Sequence, residues 1–185
     1  MTLICVASPK GGVGKTTLTA NLAYTFQRQG FNVTVIDFDS QDALKLHFGI
    51  AFNDPQGYVA EAASNPYWHE MVRTTPIGIN VLAYGPTTRE ERYRFESYIS
   101  SDPKALYQSL RSFYDSPDDV LLVDLPPGHS VALDAICKLK PLCVTALLSD
   151  SASLAVLPSI EEGDFYSGDV SRHLYYVVNQ LDLRS

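Results

Sequence analysis

Eight consecutive residues carry the densest chemistry in the chain: Lys10-Gly11-Gly12-Val13-Gly14-Lys15-Thr16-Thr17. Glycines at 11, 12 and 14 let the backbone curl until successive N–H groups converge, and a helix starting there adds the positive end of its dipole. Such a cradle binds phosphate oxygens. Lys15 is spaced to reach β- and γ-phosphates, and the Thr16 hydroxyl to hold Mg²⁺. A glycine turn that merely capped a helix would need neither the lysine nor the paired threonines. Gly11, Gly12, Val13, Gly14, Lys15, Thr16 and Thr17 are therefore the expected contacts of ATP or ADP. Where the generic loop has glycine, this chain has Pro9.

Acids close two apolar runs. Val35-Ile36-Asp37-Phe38-Asp39 ends on two carboxylates, and Val120-Leu121-Leu122-Val123-Asp124 ends on one, followed by the stiff-then-flexible Leu125-Pro126-Pro127-Gly128. Strand-terminal aspartates often cap the next helix, and that reading stays open for Asp37 and Asp39 on residue types alone. The second run has the form of a Walker B element. A third run ends in Val178-Asn179, whose amide can donate and accept at once, or can simply be a polar turn residue. His47, His69, His129 and His173 are scattered and form no metal pattern.

These residues need strands to hold them. Apolar runs recur at Leu3 to Ala7, Asn32 to Asp37, Ile79 to Ala83, Val120 to Asp124, Cys143 to Leu148 and Leu174 to Val178. They lack alternation, as parallel strands buried on both faces do. A helix is predicted over Lys15 to Gln29, with Leu18, Leu22, Ala23 and Phe26 at helical spacing and Gly30 as its stop. The alternation predicts a doubly wound α/β fold, a mostly parallel sheet with helices on both faces, whose ligands gather beyond the carboxyl ends of the strands. Thr88 to Ser100 and Asp102 to Tyr114 read as further helices. Asn53 to Gly78, broken by Pro55, Gly57, Pro66 and Pro76, carries a short helix near Val59 to Ala63 and no legible role.

The 185 residues fit one domain, and 45% hydrophobic residues are enough for a core. No apolar run approaches the ~18 residues of a membrane span, and the N-terminus lacks the basic region and long apolar stretch of a signal peptide. Cys5, Cys137 and Cys143 are too few and too spread for a disulfide framework or a cluster site, so core thiols are expected. A net charge of −7 offers duplex DNA little general attraction.

Lysine directly before Gly-Gly marks the deviant loop of the ParA, MinD and nitrogenase-iron-protein class, and the chain resembles that class. The resemblance implies a SIMIBI-type P-loop NTPase in which Lys10 crosses a homodimer interface to the partner's nucleotide. It further implies that Asp37 stands near the Mg²⁺ shell, Asp39 orients the attacking water, Asp124 with Thr16 serves the metal, and Asn179 recognises the adenine edge. Lys10, Lys15 and Asp39 would be the catalytic set. Ser40 to Gly49, Val81 to Gly85, and Leu147 to Leu154 with Pro158 are similar to the cellulose-biosynthesis (BcsQ) branch. That branch implies a cytoplasmic ATPase, slow and partner-regulated, joined to the inner membrane through cytosolic components of a cellulose synthase complex, with no transmembrane segment of its own. DNA binding is not expected. Members usually run on past the sixth strand, so residues 1–185 are expected to be a single domain short of its last strand and helices. A partitioning ATPase, a MinD-like positioning ATPase and an ATP-clamped dimer with negligible turnover are the alternative readings.

Overall fold

The computed structural model describes residues 2–166 and 173–181. β1 (Thr2–Ala7) runs into the glycine loop and then α1 (Lys15–Arg28). β2 (Asn32–Asp37), β3 (Arg73–Thr74), β4 (Asn80–Leu82) and β5 (Asp119–Asp124) follow. β6 (Leu142–Leu148) and β7 (Leu174–Asn179) complete the described strands. The sheet order is β3-β4-β2-β5-β1-β6-β7. Every pairing is parallel except that of β3 with β4. The doubly wound fold expected from the apolar runs is the observed one, with β3 added as a two-residue antiparallel edge.

Alternation along each strand splits the core between two faces. Ile4, Val6, Val33, Val35, Val120 and Leu122 pack under Ala20 and Ala23 of α1, whose small side chains let that helix lie close to the sheet. Leu3, Cys5, Leu121, Val123 and Cys143 face the other way. They meet α2 (Arg89–Ser101), α3 (Pro103–Arg111) and α4 (Val131–Cys137). A fifth helix, α5 (Ser151–Glu161), follows β6. The start of α2 is fixed by a capping box in which Thr88 and Glu91 satisfy each other's backbone N–H. All three cysteines are buried, with Cys5 and Cys143 facing each other across β1 and β6 at 3.3 Å between sulfurs.

The segment after β2 departs from expectation. Val59 to Ala63 forms turns, not a helix. The N–H groups of Tyr58 and Val59 donate to the carbonyls of Ala83 and Tyr84, so this backbone follows the end of β4, and beyond it the Glu61 N–H turns back to Tyr58 O and the Asn65 N–H to Glu61 O, isolated turns that do not propagate into a helix. Gly57 makes that possible: a Cβ there would stand 2.1 Å from the Cα of Gly85. Tyr58 and Trp68 are thereby carried into a cluster with Phe38 and Phe95, ring centroids 4.8 to 6.3 Å apart.

Candidate functional site

β1 leads toward β2 on one side and β5 toward β6 on the other, so the connections part above their carboxyl ends. This is where a doubly wound sheet opens a crevice. A cleft of about 320 Å³ lies there, lined by residues 10–17 with Asp39, Gln41, Pro127 and Gln180.

The loop's shape depends on Gly14, which caps α1 at φ 85°, a left-handed conformation unfavourable to side chains. A Cβ at this position would also lie 2.3 Å from Asn179 Nδ2. That nitrogen donates to the Val13 carbonyl at 2.8 Å, tying the end of β7 to the loop. The Leu125–Gly128 loop closes it from the other side, with the Leu125 N–H donating to Val6 O and the Gly128 N–H to Ser8 O at 2.8 Å.

Lys15 is almost fully buried, its Nζ 3.5 Å from Asp124 Oδ1. The Thr19 hydroxyl donates to the same oxygen at 3.2 Å. Asp124 Oδ2 is buried and has no hydrogen-bond partner among the described residues. Asp37 is fully buried and pairs in register with Asp124 across β2 and β5. Its two oxygens accept the N–H groups of Asp39 (2.9 Å) and Leu44 (3.1 Å), so it folds the loop that follows. Burial first, then the Asp124 charge, pushes the Asp37 carboxyl well up. Burial also raises Asp124, against the pull of Lys15 and the Thr16 and Thr19 hydroxyls.

Two crowded carboxyls and one orphaned oxygen suit a divalent cation. Among the described residues no group of three or more His, Cys, Asp or Glu is arranged to hold a metal by itself. Mg²⁺ does not need such a cage, because it is ordinarily bound by one or two carboxylates together with waters and substrate phosphates. Asp124, Asp37 and the Thr16 hydroxyl fit that role.

Asp39 is half-buried at the cleft wall, its Oδ1 accepting the Gln41 N–H. Beyond it, Asp42 adopts φ 53° and pairs with the buried Lys45 at 2.5 Å. Lys45 Nζ also donates to the Asp54 carbonyl (3.3 Å), and Asp54 pairs with Arg73 (2.8 Å). The loop after β2 is thus anchored to the 53–78 segment that the sequence leaves unexplained.

Lys10 lines the cleft, with its Nζ on Asp150 Oδ2 at 2.5 Å. Asp150 caps α5 through its other oxygen, which accepts the Ser153 N–H. The lysine beside it holds its carboxyl down at about 2.

Of the residues expected at the site, Lys10 to Thr17 and Asp39 line the cleft. Asp37, Asp124 and Asn179 support the elements that do. Sequence reasoning missed Asp150, Gln41, Pro127 and Gln180. Asp150 did carry a signal, being one more aspartate just beyond a strand end.

Parallel sheet, glycine loop opening α1 and acids at the ends of β2 and β5 together define a P-loop NTPase of the ParA/MinD type. Within that class, the family model described as "Cellulose biosynthesis protein BcsQ" matches residues 1–164, and the chain belongs to that family. The chain is 30% identical over 136 residues to the cellulose biosynthesis protein BcsQ of Salmonella typhimurium, covering 70% of this chain and 52% of that one. A chloroplastic Fe–S cluster assembly factor of Arabidopsis thaliana is 26% identical over 158 residues, 84% of this chain and 27% of its own. The chain thus spans about half or less of the curated relatives it matches. The fold is shared with the septum site-determining protein MinD of Pyrococcus horikoshii, solved with Mg-ADP, at a TM-score of 0.69 and 21% identity over 95% of this chain and 67% of that one.

Proposed function

We propose that the chain binds Mg-ATP in the cleft, dimerises in the ATP state and acts as a slow, partner-regulated ATPase switch supporting bacterial cellulose synthesis and secretion. The observation that carries the reading is the pairing of a complete phosphate loop, with both Lys10 and Lys15, to a carboxylate, Asp39, at the wall of the same cleft. Lys15 would leave Asp124 for the β- and γ-phosphates, and the backbone from Gly11 to Thr17 would take the remaining phosphate oxygens. Asp124, Asp37 and the Thr16 hydroxyl would hold Mg²⁺, which would supply positive charge to offset that of the phosphates. That charge would replace Lys15 as the counter-charge to Asp124.

Asp39 would hold a water in line with the γ-phosphorus, since an unpositioned water attacks a polyanion poorly. The water's oxygen bonds to phosphorus as the bond to the β–γ bridging oxygen breaks, leaving ADP and phosphate. Lys10 would act on the partner subunit's nucleotide, which requires it to leave Asp150. Two γ-phosphates facing across an interface concentrate negative charge, and a crossing lysine offsets it by charge-assisted hydrogen bonds.

Family membership supports the cellulose role, with cytosolic components of the synthase complex as partners and the cytoplasm, by the inner membrane, as location. Among the described residues no helix is long and apolar enough to cross a membrane. Handling of an Fe–S cluster, suggested by the names of several relatives, finds no support in Cys5, Cys137 and Cys143, which are packed into the core. Deletion of the gene should abolish or sharply reduce cellulose output. The parent gene should restore it and Lys15→Ala should not. Normal cellulose with faulty plasmid or chromosome inheritance would transfer the protein to the partitioning reading.

A further inference from the structure

A second cavity, of about 340 Å³, lies beside the nucleotide cleft and shares Gln41 with it. Its walls come from the loop after β2, from residues 52–55 and 85–87, and from Arg92 of α2. Bonds of their own hold these walls in place. The buried Lys45 ties Asp42 to the Asp54 carbonyl, and Gly85 packs against Gly57 where neither leaves room for a Cβ. A preformed pocket of this kind spares a ligand the cost of ordering it. Its charges are matched, with one exception. Asp42 is paired with Lys45, and Asp54 with Arg73. Arg92 donates to the Thr87 carbonyl at 3.0 Å but forms no ion pair among the described residues. A chain of net charge −7 therefore presents an uncommitted guanidinium at this cavity. Phe52 lines it too and is 76% exposed, the most exposed large hydrophobic side chain among the described residues. Arginine and aromatic side chains around a pocket are the usual anchors of protein–protein contacts.

We propose that this cavity is the docking site of a regulatory partner polypeptide, one segment of which sets a carboxylate on Arg92 and an apolar side chain on Phe52. The proposal rests on the partner-regulated reading above and locates the partner's action. Guanidinium and carboxylate match as paired, charge-assisted hydrogen bonds. A nucleic acid fits less well, since its phosphates would meet Asp42 and Asp54 on a surface of negative net charge. The wall formed by Ser40, Gln41 and Asp42 is bonded directly to Asp39. The Gln41 N–H donates to Asp39 Oδ1 at 3.0 Å, and the Asp42 N–H to Asp39 O at 2.9 Å. A segment seated against that wall restrains the carboxylate that positions water, and so speeds phosphate release without touching the nucleotide.

The test uses acetylated hexapeptides of three classes: acidic residues with Leu and Phe, the same peptides with amides in place of the acids, and basic residues with Leu and Phe. Calorimetry on the parent without nucleotide should find binding by the acidic class alone. Arg92→Gln and Phe52→Ser should each weaken the best peptide about tenfold or more. Neither side chain is buried, so both variants should keep the parent's circular dichroism, ATP affinity and basal phosphate release. At a concentration that fills the parent but not the variants, the peptide should raise phosphate release about threefold or more in the parent only. Equal binding of the amide peptides, binding that survives both substitutions, binding without a change in rate, or no binding by any class would overturn the proposal. Random duplex DNA that bound the parent and was lost in Arg92→Gln would also overturn it, assigning the guanidinium to phosphate. All of these outcomes leave ATP binding and basal turnover as they were. A parent that neither binds nor hydrolyses ATP overturns the functional reading instead, and peptide binding is scored independently of it.

Discussion

Gly14→Ala tests the junction between the phosphate loop and β7, and its cost can be worked from two separable parts. At φ 85° an alanine bears the left-handed penalty, about 1–2 kcal/mol. Its Cβ would also stand 2.3 Å from Asn179 Nδ2, so the amide must move off Val13 O and forfeit that hydrogen bond, about 1 kcal/mol. The sum is roughly 2–3 kcal/mol of unfolding free energy. Asn179→Ala alone loses only the bond, about 1 kcal/mol. It also removes the obstacle, so Gly14→Ala introduced beside it should cost only the backbone part, about 1–2 kcal/mol. The double variant should thus be more stable than the sum of the singles by about 1 kcal/mol. Urea denaturation of the four proteins without nucleotide, followed by circular dichroism, measures this cycle. Additive singles within a few tenths of a kcal/mol would refute the idea that the two residues meet through one contact.

Asp39→Ala should keep ATP affinity within about threefold and slow phosphate release at least tenfold, since it removes only water positioning; equal release rates in steady-state assays would favour a structural ATP clamp. The Asp150 carboxyl, held at about 2 chiefly by Lys10, should titrate near that value by carbon NMR and move up toward the ordinary ~3.9 in Lys10→Met. Because its folded pKa is depressed, the pair's contribution to stability is present above about pH 4 and fades as pH falls through about 2. Asp150→Asn keeps the cap on α5 and frees Lys10, so light scattering should find the dimer at lower ATP concentration than in the parent; an unchanged midpoint would mean that the ion pair does not restrain Lys10. For Asp37 and Asp124 the sign reverses. Their raised folded pKa values make the ligand-free protein lose stability as pH climbs above about 3.8, and Mg-ATP should remove that decline in thermal melts.

The legible features were those carried by neighbours in sequence. The strands announced themselves as unbroken apolar runs because burial on both faces demands them, and Lys10 to Thr17 because a phosphate cradle constrains consecutive residues. What escaped depends on pairs far apart in the chain. Lys10 and Asp150 are separated by 140 positions, and nothing local links them. The entry to the Val59–Ala63 turns is held by carbonyls at Ala83 and Tyr84, and the contact of Gly57 with Gly85 is invisible in either neighbourhood. Gln180 reads as an ordinary turn residue until β7 is seen to end against the loop. The two-residue β3 is too short for periodicity and exists only because Arg73 and Thr74 find Val81 and Asn80.

Phe38 stands between Asp37 and Asp39 in sequence, its ring 6.3 Å from that of Trp68 in the buried aromatic cluster. Trp68 is the chain's single tryptophan and is fully buried. A rearrangement of the loop after β2 that displaced Phe38 would alter the packing and polarity around the neighbouring indole. The protein therefore carries its own optical gauge. Excited where tyrosine absorbs little, all emission arises one ring away from that loop, and its intensity would report such a displacement without a label.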